Sequence, residues 1–398
     1  MASKLTIKIL VMTTLLSVAS NGIFISTANA KSRVAPEVTN AEKSLSFWDL
    51  PYLKQAYISA APKDRKEGIS VGQLGDRVAK KNIIKLAEEI AQGKYGLYDG
   101  LLISHKGKLV FESYYRRGRV NLAAGQASAA KTYTSLALGR AIQLGYLSMA
   151  DLDKPLVSFL KDVDTTKLVA GAEKITLHKA LTMRGGIRVS DEQVKVLEGT
   201  PAKLKGQGQV QALLEHSTSI NSESQRYSYG NFNPTLVMQV LDAVVPGTAQ
   251  SFIKKELLDK LGITNYRWQN AISGLPEAGW RVSLTSRDML KWGALLANKG
   301  KWQGEQLISM AYLNKGTRGI VQPTEAWIPK AYQYGYYIYQ MDIPVKGKSY
   351  NANFAWGGGG QYIITIAELD LIVVIKGHDQ EDKIMPHALK TIVPVFAH

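Results

Sequence analysis

The chain reads as an α/β protein of the α+β kind: one antiparallel sheet built from both ends of the chain, flanked by helices, with an inserted all-helical subdomain at about residues 126–270. Three observations predict this. Runs rich in β-branched and aromatic residues, bounded by turn residues, lie near both ends, at 100–115 and 362–375. The middle carries apolar residues at helical spacing instead. No internal repeat or low-complexity tract points to another architecture.

The first residues read as a targeting segment. Lys4 and Lys8 give a weakly basic start, residues 9–18 are apolar, and Ala28-Asn29-Ala30 is a small-residue cleavage site. Residues 1–30 are therefore set apart from the fold as a signal peptide. The expected location is exported, periplasmic or secreted after cleavage near Ala30. No later stretch is apolar for long enough to span a bilayer.

Residues 31–95 read as an N-terminal extension, with a polar loop at 62–67 and a helix at 81–92 that places Ile83, Ile84, Leu86 and Ile90 on one side. The main domain, residues 96–398, opens with a hairpin in which 100–104 and 109–115 flank the turn His105-Lys106-Gly107-Lys108. A helix runs from Ser128 to about Leu144 and stops at Gly145. Helical spacing recurs at 177–183, 210–214, 234–244 and 251–261. Strands return at 281–284, and Ser286 reads as the N-cap of a helix through 296. Residues 334–339 alternate loosely. Residues 362–366 and 369–375 form a second hairpin around Ala367-Glu368, and a terminal helix spans 385–393 with Pro386 in its first turn. The cleft between sheet and helical subdomain is a natural site.

Composition removes several chemistries. With no cysteine, disulfides, thiolate catalysis and zinc–thiolate sites are excluded, which suits an oxidising compartment. The six histidines show no metal-ligand spacing, so neither a metal nor another cofactor is expected. Net charge is +16, but the basic residues are dispersed; Arg116, Arg117 and Arg119 are the densest group. Without a basic helix interleaved with aromatics, nucleic-acid binding is not expected. The charge favours association with anionic cell-envelope polymers or lipids instead. Oligomeric state leaves no trace in the sequence.

Chemistry centres on Ser128 and Lys131, in Gly125-Gln126-Ala127-Ser128-Ala129-Ala130-Lys131. Residues three apart share a helix face, so the lysine amine can reach the serine hydroxyl. A desolvated lysine loses its proton near neutral pH and can activate serine as an acylating nucleophile. The helix N-terminus supplies N–H groups for an oxyanion. Ser-x-x-Lys occurs again at Ser158 and Ser251, so company must decide. Tyr229-Gly230-Asn231 offers a phenol and an amide ahead of a helix; beside a lysine ammonium a phenolate is stabilised, making Tyr229 a candidate base. Trp356-Gly357-Gly358-Gly359-Gly360, before an apolar strand, lets backbone approach a ligand and donate to an oxyanion.

In the order serine–lysine, tyrosine–asparagine, glycine-rich segment, the chain resembles the serine β-lactamase and penicillin-binding-protein superfamily. It is most similar to the class C β-lactamase-related hydrolases: esterases, D-aminopeptidase-like enzymes and 6-aminohexanoate-dimer hydrolase. The resemblance spans roughly residues 97–395, with further matches at 181–187, 283–288, 300–304 and 360–363. It implies a β-lactamase/transpeptidase-like fold, Ser128 as acylated nucleophile, Lys131 as its proton partner, Tyr229 as general base and Asn231 as a substrate-amide contact. It also implies an oxyanion hole from the N–H of Ser128 and one from the Gly357–Gly360 segment. Penicillin-targeted members carry a lysine or histidine at the third motif, and that cation binds the substrate carboxylate. Here Trp356-Gly357-Gly358 has none, so a small-molecule ester or amide is expected rather than a β-lactam or D-alanyl-D-alanine. Arg184, where relatives have a small polar residue, is a candidate carboxylate contact, though a surface ion pair is the plainer reading.

Two rival readings follow from the residues. Gly68-Ile69-Ser70-Val71-Gly72 matches a nucleophile elbow but follows a polar loop, where an elbow needs a strand. The other is a binding or regulatory protein on the same fold that has lost turnover.

Overall fold

Long apolar runs bury strands on both faces. Leu371–Gly377 and Gln361–Ile366 are buried at every position, and Tyr98–His105 at all but the last. Such strands belong at the centre of a sheet covered on both sides. In the computed structural model, which describes residues 34–75 and 77–397, that is where they lie. The expected signal peptide falls outside the described residues.

The main sheet has eight strands: β1 (Tyr57–Ser59), β2 (Tyr98–His105), β3 (Lys108–Tyr114), β4 (Gln333–Tyr334), β5 (Tyr339–Val345), β6 (Lys348–Gly357), β7 (Gln361–Ile366) and β8 (Leu371–Gly377). Their order is β1-β3-β2-β8-β7-β6-β5-β4, antiparallel throughout. The two ends of the chain meet where β2 pairs with β8, with Leu101 opposite Ile375 and Ile103 opposite Val373.

Helix α1 (Arg77–Ala91) packs against the terminal helix α5 (Ile384–Phe396), and α4 (Ser286–Ala297) lies on β7 and β8. Between β3 and α4 the chain is mainly helical, containing α2 (Ala130–Gln143) and α3 (Phe232–Val244), which pack on each other.

Four details differ from the sequence reading. Residues 282–284 do not join the main sheet; they pair with Ala124–Gly125 and Arg267–Trp268 in a separate three-stranded sheet. Buried Lys376 on β8 ties the two sheets together, its amine donating to the carbonyls of Ala124 (2.8 Å) and Leu284 (3.4 Å). The cap of α4 is Thr285, not Ser286, because the Thr285 hydroxyl accepts the Asp288 N–H at 3.1 Å. The glycine-rich segment ends one strand and turns into the next: Gly357 pairs with Gln361 across residues 358–360. Gly359 (φ 87°) and Gly360 (φ 85°) take the left-handed conformations such a turn needs. Tyr337 (φ 58°) interrupts the alternation at 334–339, which becomes two strands rather than one.

One buried ion pair ties α4 to the sheet. Arg287 forks onto Glu112 of β3 at 2.7 and 2.8 Å, both side chains nearly solvent-free, and the Tyr114 hydroxyl donates to the same carboxylate at 2.7 Å. Removing one partner strands the other charge in the core. Glu112→Ala is therefore expected to lower unfolding free energy by about 3–5 kcal/mol, read by urea denaturation at pH 7.

Candidate active site

Helix α2 has no solvent face. Every residue from Ala130 to Ala141 is buried, because α3, the helical segments 254–258 and 310–316, the loop at 278–279 and Trp292 of α4 surround it. A single-turn 3-10 segment, Ala127–Ala129, leads into it and carries Ser128. Ala127 sits at φ 44°, a left-handed conformation that costs a non-glycine residue of order 1–3 kcal/mol and that surrounding structure must enforce. The enforcement is visible: the Gln126 N–H donates to the Val282 carbonyl (2.8 Å), its side chain bonds the Ala124 carbonyl (2.9 Å), and Tyr133 donates to it (3.0 Å).

One turn into α2, Lys131 brings its amine to the same point. The Nζ lies 3.1 Å from Ser128 Oγ and 3.2 Å from the Gly279 carbonyl, and the residue is 2 % exposed. Burial strips water from the ammonium and lowers its pKa to about 8; the Glu277 carboxylate opposes this and does not win. Thr134, one turn on, anchors the loop by donating to the Ala278 carbonyl at 2.8 Å.

Tyr229 stands over this amine, its ring centroid 4.9 Å from Lys131 Nζ. Its phenol is held above the ordinary tyrosine range by burial, which outweighs hydrogen bonding to Ser128 and Tyr339. That direction is opposite to the phenolate expected from sequence: desolvation penalises the anion more than its neighbours favour it. The Tyr229 N–H is anchored on the Glu325 carboxylate at 2.5 Å. Asn231, at the head of α3, points its amide at the same loop; a Cβ on Gly279 would fall 2.7 Å from Asn231 Oδ1 and 3.5 Å from Lys131 Nζ. A side chain there would have to push the Asn231 amide aside.

The end of β6 closes the other side. A Cβ on Gly357 would lie 2.1 Å from the Gln126 carbonyl oxygen and 3.1 Å from the Ser128 nitrogen, so only glycine lets the strand reach the serine turn. Gly358 and Gly359, next in the chain, line a cavity of about 660 Å³ together with Ser128, Tyr229, Trp356 and Asp382. Gly360 lies against Tyr98 at the rim of the turn and is not among the lining residues.

The other candidates go elsewhere. Ser158 is exposed and bonds the Pro155 carbonyl; Ser251 helps cap Ala249–Ile253, and Lys254 pairs with Asp259. Ser70 is exposed in a loop that is not preceded by a strand. Arg184 donates to the Gln225 carbonyl and is not in the cavity. His378 lies beside a neighbouring cavity, bonded to Asp99 at 2.8 Å and Arg117 at 3.0 Å. No group of three or more metal-ligating side chains occurs among the described residues. Sequence reading missed the Gly279 carbonyl, a backbone group that carries no residue signature, and Asp382, one of three acids in the polar stretch 379–383.

Comparison with known proteins identifies the family and the fold. Residues 85–385 match the family model described as Beta-lactamase. No curated protein gives a significant sequence match. Among solved structures, the chain is similar to a protein assigned as a 6-aminohexanoate-dimer hydrolase from Bacillus anthracis (17% identity, TM-score 0.61, covering 78% of this chain and 81% of that one). It is also similar to a class C beta-lactamase variant (14%, 0.60, 82% and 99%) and to a D-stereospecific amidohydrolase from Streptomyces sp. (15%, 0.57, 79% and 98%). At these identities the likeness is one of fold.

The buried lysine has a cost that can be measured. An unfolded lysine titrates near 10.5, the folded one at about 8. Below pH 8 both states hold the proton and the fold bears the full desolvation penalty; between the two values the native state releases its proton first, so stability rises with pH. Lys131→Met is expected to raise unfolding free energy at pH 7 by ~1–3 kcal/mol, tempered by the orphaned Gly279 carbonyl. It should also flatten the rise above pH 8; both follow from denaturation at several pH values.

Proposed function

Since the chain belongs to the beta-lactamase family, a family that supports a serine hydrolase in general, we propose that it cleaves an ester or amide through an acyl-enzyme on Ser128. The observation that carries this is the Lys131 amine, 3.1 Å from Ser128 Oγ and largely desolvated. Lys131 is the base of this reading rather than Tyr229, because near pH 8 a substantial fraction of the amine is neutral while the phenol keeps its proton.

Ser128 Oγ attacks the carbonyl carbon as its proton passes to Lys131. The oxyanion is held by the Ser128 N–H and an N–H at the end of β6, where Gly357 abuts the serine turn. As the carbon–oxygen or carbon–nitrogen bond breaks, the departing group takes a proton from the Tyr229 phenol, which Lys131 replenishes. Water then attacks the acyl-enzyme, gives its proton back through Tyr229 and Lys131, and frees Ser128. Asn231, beside Lys131 and Gly279, contacts the substrate amide or ester. Trp356, Gly358 and Gly359 form the wall where other members place a cation, so efficient β-lactam or D-alanyl-D-alanine cleavage is not expected. The proposed location is the periplasm or the outside of the cell.

A panel of short p-nitrophenyl esters, nitrocefin, D-amino acid amides and linear ω-amino acid amides tests this. For the best substrate, kcat/KM is expected to climb as pH rises through about 8 and then level, as Lys131 loses its proton. Ser128→Ala is expected to lower kcat by at least ~10³-fold. A profile flat across pH 7–9, or full activity without the Ser128 hydroxyl, contradicts the reading.

A further inference from the structure

The cavity beside Ser128 is walled by rings. Tyr229 meets Trp327 edge-on at 5.3 Å between centroids, Trp327 meets Trp356 at 5.4 Å, and Trp356 stacks on Tyr362 at 6.0 Å. Tyr339 and Tyr332 complete the wall around Trp356 at 5.5 and 6.2 Å. The series leads from the Ser128 end of the cavity to one carboxylate, Asp382.

Asp382 is held entirely by neutral donors. Trp356 Nε1 donates to it at 2.7 Å, the Tyr362 hydroxyl at 2.8 Å and the Tyr98 hydroxyl at 3.3 Å. Among the described residues no cation pairs with it. Its position ahead of α5 gives it some favourable helix-dipole field, but its three donors are side chains of the sheet and hold the carboxylate against the aromatic wall. The remaining charges at the cavity are Glu381 and Lys383, which pair with each other in solvent, and His387. A chain of net charge +16 thus presents a negative charge without a counter-ion inside an aromatic box. Burial raises the Asp382 carboxyl, as it does for an acid with no cationic neighbour.

Electron-rich ring faces and a carboxylate are the two groups that attract an organic cation. We infer that this cavity binds an alkylammonium group carried by the substrate, with Asp382 as counter-ion and Trp327, Trp356 and Tyr332 as the cage. An aromatic or aliphatic acyl group would fill the same space but leave Asp382 unpaired, so charge rather than size is the discriminating property. The inference builds on the acyl-enzyme reading for what the cavity serves; the binding itself requires no turnover.

Equilibrium binding to the intact protein, read by tryptophan fluorescence, tests it. Choline is expected to bind at least about tenfold more tightly than its neutral isostere 3,3-dimethyl-1-butanol. Asp382→Asn should abolish that preference. Trp327→Leu, at a residue 54 % exposed and so safe for folding, should weaken choline several-fold. Equal affinity for choline and the alcohol in the unaltered protein overturns the proposal. The two readings fail separately. Choline binding without acylation of Ser128 keeps the cation site and removes the hydrolase; ester cleavage with no preference for choline does the reverse.

Discussion

The dehydration of one amine organises this molecule. A lysine in water keeps its proton far above neutral pH and cannot serve a serine; a lysine stripped of water can. Stripping it demands that α2 be buried from Ala130 to Ala141, which no two-layer surface helix is. The sheet, the inserted helices and the 278–279 loop are all needed to close around it. Gly357 is where those layers come too close for a side chain, and Ala127 is where the backbone yields to let Ser128 face the amine. The resulting site is costly to the fold, as sites built from buried charge generally are.

The two protonatable partners of Ser128 are pushed apart by the same burial. Desolvation drives Lys131 toward its neutral form and Tyr229 toward its neutral form as well, which in the proposed reaction suits one as the base and the other as the weak acid. A neutral pair suits transfer of a single proton to and fro without exposing a buried ion. The Glu325 carboxylate acts on the Tyr229 backbone, fixing its position.

Much of this was legible in the sequence, and the reason is periodicity. The continuous apolar runs of β7 and β8 and the hairpin of β2 and β3 stood out because central strands need them, and the three motifs kept their order along the chain. β6 was not legible: the alternation of Asn351 and Asn353 with buried residues breaks at Phe354 and Ala355, which are both buried, and its far end is glycine. The membership of residues 282–284 in a second sheet depended on pairing with Ala124–Gly125, a non-local contact. Lys131 and Tyr229 could be named, but not the direction of the tyrosine shift, which follows from burial. Asp382 could not be found, because its meaning comes from Trp356, Tyr362 and Tyr98 converging on it.

The most direct measurement is the protonation of the Lys131 amine itself, followed by NMR in protein labelled at lysine Cε, with the signal assigned by its absence in Lys131→Arg. A signal titrating at about 8 is expected from the burial around it. A signal that titrates near 10.5, as a solvated lysine does, would contradict the account, because the base proposed for Ser128 would then be fully protonated throughout the neutral range.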